Sequence, residues 1–219
     1  MADLDAFEFE TNDRPAASII WLHGLGSNGH DFEPIIPELN LPSHLGIRFI
    51  FPHAPKRVVT INGGLRMPAW YDIYAHDIDR KVDTKQLAAS ANDVAKFVDR
   101  EIENGIPSER IIIAGFSQGG AVGYELALSY PKKLGGLIAL STYFATKESV
   151  EYSSVNSELP ILIGHGSLDT IVPEILGEQA RDLLKEKDYK VDYHSYTMDH
   201  SVCMEEIKDI SRWIQIRLL

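Results

Sequence analysis

The 219-residue chain has one cysteine, no excess of positive charge and no long apolar run. Cys203 cannot form an internal disulfide, and a chain of this size can bury a sufficient core without one. Lysine and arginine total 21 against 32 aspartate and glutamate, a net charge of −11. Since nucleic-acid binding depends on clustered positive charge, we expect no nucleic-acid partner.

Signals for membrane insertion and export are also missing. The apolar stretches Leu134–Leu140 and Ile161–Ile163 are far shorter than the roughly 20 residues of a spanning helix. Met1–Arg14 is acidic where a secretory signal needs a positive region and an apolar run, so we expect a cytoplasmic protein. No repeat or Gly/Ser linker divides the chain, which predicts one domain over residues 1–219.

The sequence likewise lacks metal-binding spacings. Its eight histidines show no H-x-x-x-H pattern, and a lone cysteine cannot supply a paired-cysteine site. We therefore predict neither a metal nor a cofactor.

Short runs rich in Ile and Val alternate with longer amphipathic segments, which is typical of an α/β fold with a mostly parallel sheet and helices on both faces. The predicted strands are Ser18–His23, Ile47–Phe51, Arg110–Ala114, Leu134–Ser141, Pro160–Ile163 and Lys190–Tyr196. The predicted helices are Thr84–Asn104, Gly119–Tyr130, Pro173–Lys187 and Val202–Leu218. Pro52–His76 has prolines, a Gly-Gly pair and no clear period, and we predict a long loop covering a functional site.

A candidate nucleophile follows the strand Arg110–Ala114. The sequence Gly115–Gly120 reads GFSQGG and precedes a predicted helix, so it matches G-x-S-x-G in a strand–turn–helix context. Glycines two residues before and after the serine permit a very tight turn that exposes the hydroxyl above the sheet. Ser117 is therefore the predicted nucleophile.

A serine hydroxyl needs a base and an orienting acid, which in this arrangement follow in the order acid, then histidine. Asp169 lies just beyond the strand Pro160–Ile163, and His200 lies beyond Lys190–Tyr196. Because the carboxyl ends of parallel strands share one edge of a sheet, we expect both residues near Ser117.

Three other residues compete for these roles. His165 sits between two glycines at a strand end, and we favour a packing or hydrogen-bonding role for it. Asp199 adjoins His200 in sequence, and neighbouring side chains usually point apart, so Asp169 is preferred as the acid. Cys203 is an alternative nucleophile, but free cysteine is more often a small buried apolar residue.

Attack on a carbonyl also requires hydrogen-bond donors for the developing negative charge. In this type of site one donor is the amide after the nucleophile, here Gln118, and the other comes from a loop after an early strand. That loop reads WLHGLG at Trp21–Gly26, and Leu25 is the candidate donor.

Taken together, these segments closely resemble the acyl-protein thioesterase and lysophospholipase-like small carboxylesterases of the α/β-hydrolase fold. The resemblance spans nearly the whole chain and is most similar to the bacterial branch. It is carried by WLHGLG at Trp21–Gly26, FPHAP at Phe51–Pro55, AWYD at Ala69–Asp72, GFSQGG at Gly115–Gly120, HGSLDTIVP at His165–Pro173 and DHSVCMEEI at Asp199–Ile207. It implies a fold without a large cap domain, a triad of Ser117, Asp169 and His200, and an oxyanion hole at Leu25 and Gln118.

The resemblance also implies that AWYD, with Trp70 and Asp72, belongs to a loop near the active site that helps to line an acyl groove. The nearby apolar side chains of Leu65, Met67 and Trp70 suit such a groove, although a loop simply pinned to the core would use them equally well. The candidate substrate-binding residues are Leu65, Met67, Trp70, Ile171 and Val172.

The predicted function is hydrolysis of acyl esters or thioesters through an acyl-serine intermediate. A noncatalytic acyl- or protein-binding module and a serine peptidase are the alternatives. An apolar rim around the groove could also make transient contact with a membrane surface or support a homodimer, and the sequence leaves both open beside a monomer.

Overall fold

The computed structural model describes residues 4–42, 44–75 and 80–219. Its main sheet has seven strands in the order β1-β3-β2-β6-β7-β8-β9, and a separate hairpin pairs β4 with β5. The strands are β1 (Ala6–Glu10), β2 (Ala17–Leu22), β3 (Ile47–Pro52), β4 (Lys56–Val59), β5 (Leu65–Pro68), β6 (Ile111–Phe116), β7 (Gly136–Leu140), β8 (Ile161–Gly166) and β9 (Val191–Tyr196). Within the main sheet only β1 runs antiparallel to its neighbour.

Helices pack on both faces of this sheet. They are α1 (Ile35–Glu38), α2 (Thr84–Glu103), α3 (Gln118–Ser129), α4 (Glu174–Glu186) and α5 (Met204–Leu218). Helices α2, α3 and α4 share one buried cluster, whereas α1 and α5 share the other. Within the described ranges, no helix combines the length and the apolar character needed to cross a bilayer.

The two clusters follow from the alternation of side chains along the strands. On β2, Ile20 and Leu22 face the cluster of α2–α4, while Ile19 and Trp21 face that of α1 and α5. A strand buried on both faces is apolar at most positions, which explains the apolar runs of the sequence; the buried polar residue of β2, Ser18, donates a hydrogen bond to Glu101. The predicted α/β architecture with helices on both faces is confirmed, and the described residues include no large cap domain.

Helix α2 shows how local signals set an element's limits. The Asp83 carboxylate accepts a hydrogen bond from the Gln86 amide and caps the first turn. The apolar side chains Leu87, Ala91 and Val94 recur at helical spacing and are buried. Gly105, with φ of 93°, lies just past the last turn, where a left-handed backbone favours glycine.

The segment Pro52–His76 differs from the predicted loop. Strands β4 and β5 form an antiparallel hairpin in it, closed by a 3₁₀ turn and the left-handed residues Gly63 and Gly64. The Asp72 carboxylate holds the hairpin by accepting hydrogen bonds from the Thr60 amide at 2.7 Å and the Thr60 hydroxyl at 2.6 Å. His76 lies outside the described residues. This segment has little sequence periodicity, and its structure is stabilised by the β4–β5 strand pairing and by the hydrogen bonds of Asp72.

Candidate active site

Ser117 occupies a sharp turn between β6 and α3. Its backbone has φ of 53° and ψ of −120°, a conformation that costs a non-glycine residue roughly 1–3 kcal/mol. A Cβ on Gly115 would lie 2.5 Å from the Gly119 backbone, and one on Gly119 would lie 2.5 Å from the Leu22 carbonyl oxygen. The flanking glycines therefore allow the turn to press against β2 and raise the serine above it.

The side chains of Ser117, His200 and Asp169 form a continuous hydrogen-bonded chain. His200 Nε2 lies 2.9 Å from Ser117 Oγ, and His200 Nδ1 lies 2.7 Å from Asp169 Oδ2. An ionised carboxylate can only accept, so Nδ1 donates to Asp169 and Nε2 is left to accept the serine proton. The structure thus brings together the three residues predicted from the sequence.

Asp169 is buried, and its carboxylate is fully engaged. Oδ1 accepts hydrogen bonds from the amides of Ile171 at 2.9 Å and Val172 at 2.8 Å, while Oδ2 faces His200. Burial opposes ionisation, but the hydrogen bonds from His200 and the two amides outweigh it and hold the pKa of Asp169 below its ordinary value. The acid is therefore held as an anion beside the imidazole.

The competing residues take other positions. His165 is buried, its Nε2 lies 2.8 Å from the Val172 carbonyl oxygen, and it stands 3.8 Å from Asp169 Oδ2. Asp199 is exposed, and Cys203 is the half-buried N-cap of α5. The hydrogen-bonding role favoured for His165 agrees with this geometry, because it supports the loop that carries Asp169.

The backbone amides of Leu25 and Gln118 have no protein acceptor among the described residues. Gln118 is the first residue of α3, where an amide has no carbonyl one turn earlier to bond. Leu25 lies in the loop after β2, and both residues line the same cleft as Ser117 and His200. These amides are available to a bound oxygen.

The cleft over Ser117 has a volume of about 570 Å³. Its apolar wall consists of Phe32, Ile73, Phe116, Ile171, Val172 and Val202. Polar groups of Asp31, Asn62, Arg80 and Tyr143 also reach it. Phe32, Ile73, Phe116 and Val202 were not singled out in the sequence, since apolar residues scattered over several loops carry no motif.

The predicted groove residues do not all face this cleft. Ile171 and Val172 lie in its wall. Leu65 is 64% exposed on the hairpin, and Met67 is not among the residues that line the cleft, although its sulfur lies 3.2 Å from Nδ2 of the lining residue Asn62. Trp70 has no exposed surface, so its predicted contact with an acyl chain is corrected: both of its N–H groups are used inside the protein.

In the parts of the chain that the structure describes, no three His, Cys, Asp or Glu side chains converge as metal ligands. The groups around Ser117 instead form a site whose parts are a hydroxyl, an imidazole, a carboxylate and two free amides. This set matches nucleophilic acyl transfer.

Comparison with known proteins agrees with the geometry. The phospholipase/carboxylesterase family model matches residues 6–218. Acyl-protein thioesterase 1 of Neurospora crassa is 39% identical over 216 residues, covering 94% of this chain and 88% of that protein. Acyl-protein thioesterase 1 of Yarrowia lipolytica is 34% identical over 206 residues, covering 91% of each chain.

Solved structures extend the likeness to the fold. Arabidopsis thaliana SOBER1 superposes with a TM-score of 0.87 at 32% identity, covering 93% of this chain and 99% of that one. Zea mays acyl-protein thioesterase 2 superposes with a TM-score of 0.86 at 29% identity, covering 98% and 99%. The agreement of family model, relatives and fold shows that this chain belongs to the phospholipase/carboxylesterase family of α/β-hydrolases.

Proposed function

We propose that this protein is a serine hydrolase that cleaves carboxylic esters and thioesters of acyl chains through an acyl-serine intermediate. The observation that carries the proposal is the hydrogen-bonded chain from Asp169 through His200 to Ser117, with links of 2.7 and 2.9 Å. The family membership supports the same chemistry, since its relatives are named acyl-protein thioesterases.

In the first step His200 Nε2 takes the proton of Ser117 as Oγ attacks the acyl carbonyl carbon. The carbonyl oxygen becomes an anion and accepts hydrogen bonds from the amides of Leu25 and Gln118. Asp169 stabilises the imidazolium that forms, and that imidazolium then donates its proton to the departing alcohol or thiol.

In the second step water attacks the acyl-enzyme. His200 removes a proton from the water, the same two amides hold the second oxyanion, and Ser117 leaves with the proton returned by His200. The products are a carboxylic acid and the free enzyme. This sequence balances without a metal or a redox cofactor.

The apolar wall of the cleft is the proposed acyl site. Ile171 and Val172 lie two and three residues after Asp169 and line the cleft with Ser117, so an acyl chain packed against them would hold its carbonyl close to Ser117. Each buried methylene contributes about 0.8 kcal/mol, so the rate should respond to chain length until the cleft is full. Lysophospholipids share the attacked ester and belong to the proposed substrate range.

We also propose a cytoplasmic location, which the acidic composition and the single cysteine support because the fold needs no oxidising compartment. Fractionation of the native cell tests it, with the protein expected among cytoplasmic markers.

A hydrolysis panel tests the function. Matched oxygen esters and thioesters of increasing acyl length, together with lysophospholipids, are supplied to the wild-type protein and to Ser117→Ala. The wild type should hydrolyse them with kcat/KM rising several-fold per methylene until a maximum is reached. Ser117→Ala should lose roughly 10⁴-fold or more of the turnover while its melting temperature shows that it remains folded.

The panel separates the alternatives. A maximum at long chains would identify lipid-modified proteins or lysolipids as the substrate class, and one at short chains would identify small esters. Turnover that survives in Ser117→Ala would contradict the nucleophile assignment. Acyl-chain binding without any Ser117-dependent turnover would favour a noncatalytic binding module.

A further inference from the structure

We propose that the side chains of Trp70 and Gln118 form a latch that sets the spacing of the two oxyanion amides. The proposal rests on the function above and adds positioning residues to it. The latch ties together the loop after β2, which carries the Leu25 amide, and the start of α3, which carries the Gln118 amide. Its middle piece is the AWYD segment, far from both in sequence.

The first half of the latch joins AWYD to the nucleophile turn. The Trp70 amide donates to Gln118 Oε1 at 2.8 Å, and Gln118 Nε2 donates to the Tyr71 carbonyl oxygen at 2.7 Å. The carboxamide of Gln118 is thus bound through both of its polar atoms to two consecutive residues, and Gln118 is only 1% exposed. Because both polar atoms of this buried carboxamide are hydrogen-bonded, the side chain restricts the orientation of the Gln118 backbone amide.

The second half joins AWYD to the loop after β2. The indole Nε1 of Trp70 donates to the His23 carbonyl oxygen at 2.9 Å, two residues before Leu25. The rings of Trp70 and His23 also pack 5.2 Å apart. Trp70 therefore contacts both loops that supply an oxyanion donor, through its backbone on one side and its ring on the other.

The latch is itself anchored. The Ser90 hydroxyl on α2 donates to the Trp70 carbonyl oxygen, and the Gly26 amide donates to the Pro68 carbonyl oxygen at 2.8 Å. Nε2 of His23 accepts a hydrogen bond from the Ala54 amide at 3.1 Å, so the loop after β2 is also bound to the segment that follows β3. Because of these contacts, a shift of Trp70 would move both the loop after β2 and the start of α3.

Neither Trp70 nor the carboxamide of Gln118 lines the wall of the cleft as a substrate contact; the carboxamide faces the AWYD backbone. Their expected effect is therefore on the oxyanion and little on the bound substrate. Donors that stabilise charge only in the transition state change kcat and leave KM nearly unaltered.

The decisive variant is Trp70→Phe, which retains an aromatic ring but removes the hydrogen bond to His23. We expect kcat for p-nitrophenyl butyrate to fall about tenfold with KM within twofold, since loss of a direct oxyanion donor costs about 10²–10³ and this loss is indirect. Butylboronic acid, whose adduct with the serine places an oxygen in the oxyanion hole, should bind about tenfold more weakly.

Trp213→Phe is the matched control. Trp213 is a buried tryptophan of α5, and its Nε1 has no hydrogen-bond partner among the described residues. The same chemical change there should leave kcat, KM and boronate affinity unaltered. Gln118→Met is a second test that preserves the backbone donor but removes both carboxamide bonds, and it should show the same loss in kcat and in boronate affinity.

The outcomes separate the latch from the function. Wild-type kcat and boronate affinity in both Trp70→Phe and Gln118→Met would overturn the latch while leaving the hydrolase intact. A fall in melting temperature with unchanged kcat per folded molecule would also overturn it, because that pattern indicates a merely structural role. Absence of Ser117-dependent hydrolysis and boronate binding in the wild type would instead overturn the proposed function and, with it, the latch.

Discussion

Two buried carboxyl groups near β8 have opposite surroundings. Asp169, in the loop after β8, is hydrogen-bonded to His200 and to two backbone amides. Glu206, in the first turn of α5, packs against Gly164 of β8, where even a Cβ would overlap it. Neither carboxyl oxygen of Glu206 has a hydrogen-bond partner among the described residues.

The difference appears in their protonation. The pKa of Asp169 lies below its ordinary value, because its hydrogen bonds outweigh the effect of burial. Burial, together with the negative charge of Asp209, raises the pKa of Glu206 to about 8. A buried carboxyl group is therefore ionised near neutral pH only where hydrogen-bond donors stabilise its negative charge.

The largest expected effect is on activity. Asp169→Asn should lower kcat roughly 10³- to 10⁴-fold, because an amide can no longer hold His200 with its proton on Nδ1. Steady-state kinetics on a p-nitrophenyl ester measures this. Glu206→Gln is the same acid-to-amide change at the other buried carboxyl group and should keep kcat/KM within about twofold.

Asp199→Asn is a further control, since Asp199 is exposed and adjoins His200 in sequence. It should behave as the wild type. A loss of activity in Asp199→Asn as large as that in Asp169→Asn would contradict the assignment of Asp169 as the acid. A large loss in Glu206→Gln would show that Glu206 also contributes to activity.

The next effect is on stability at alkaline pH. The folded protein binds the Glu206 proton more tightly than the unfolded chain, where the pKa is near 4.5. Its contribution to stability is therefore fully present below pH 4.5 and is lost as pH rises through about 8. The difference in free energy of unfolding between Glu206→Gln and the wild type should therefore shift in favour of Glu206→Gln by a few kcal/mol when the pH is raised from 5 to 9.

Urea unfolding at the two pH values measures this gain, and Glu205→Gln, at the exposed neighbouring position, is the matched control. The control should show no such gain. A wild type whose stability relative to Glu206→Gln is the same at pH 5 and pH 9 would contradict a protonated Glu206.

The smallest effect concerns acid stability near Asp169. Burial lowers the pKa of His165 despite its bond to the Val172 carbonyl, so the folded state favours the neutral ring. Stability from this group is present above about pH 6.5 and is lost as pH falls below it, since the unfolded chain takes the proton more readily. His165→Gln should reduce this loss of stability at acid pH.

Thermal unfolding between pH 7 and pH 5 tests this, with His44→Gln at an exposed position as the control. A slope in His165→Gln equal to that of the wild type would show that folding does not change the proton affinity of His165, and it would contradict the lowered pKa.

The predicted site residues that the structure brings together follow from signals that are local in sequence. GFSQGG specifies its own turn, because the glycines are needed within a few residues of Ser117. Asp169 and His200 could be placed because each follows a strand whose carboxyl end must lie at the same sheet edge. The six predicted strands and four predicted helices are all present, with ends displaced by only a few residues.

The parts that were missed depend on distant pairing. Strand β1 pairs with β3, Phe7 opposite Phe51, although its alternating Phe and Glu residues were a usable signal. The hairpin of β4 and β5 was interpreted as a loop because its order comes from partners such as Asp72. Trp70 was assigned to the groove from the resemblance of AWYD and the apolar character of the segment, whereas its hydrogen bonds hold it inside the protein.

The sequence by itself determined the α/β fold class, the turn at Ser117 and the order of Ser117, Asp169 and His200. Tight turns and buried strands depend on residues that are close together in the sequence, so their patterns can be recognised there. Only the tertiary structure decided which apolar side chains line the cleft, which buried carboxyl group receives hydrogen bonds, and which side chains bind the segments that carry the Leu25 and Gln118 amides. Those properties depend on hydrogen bonds and burial between segments tens of residues apart, and no spacing in the chain records them.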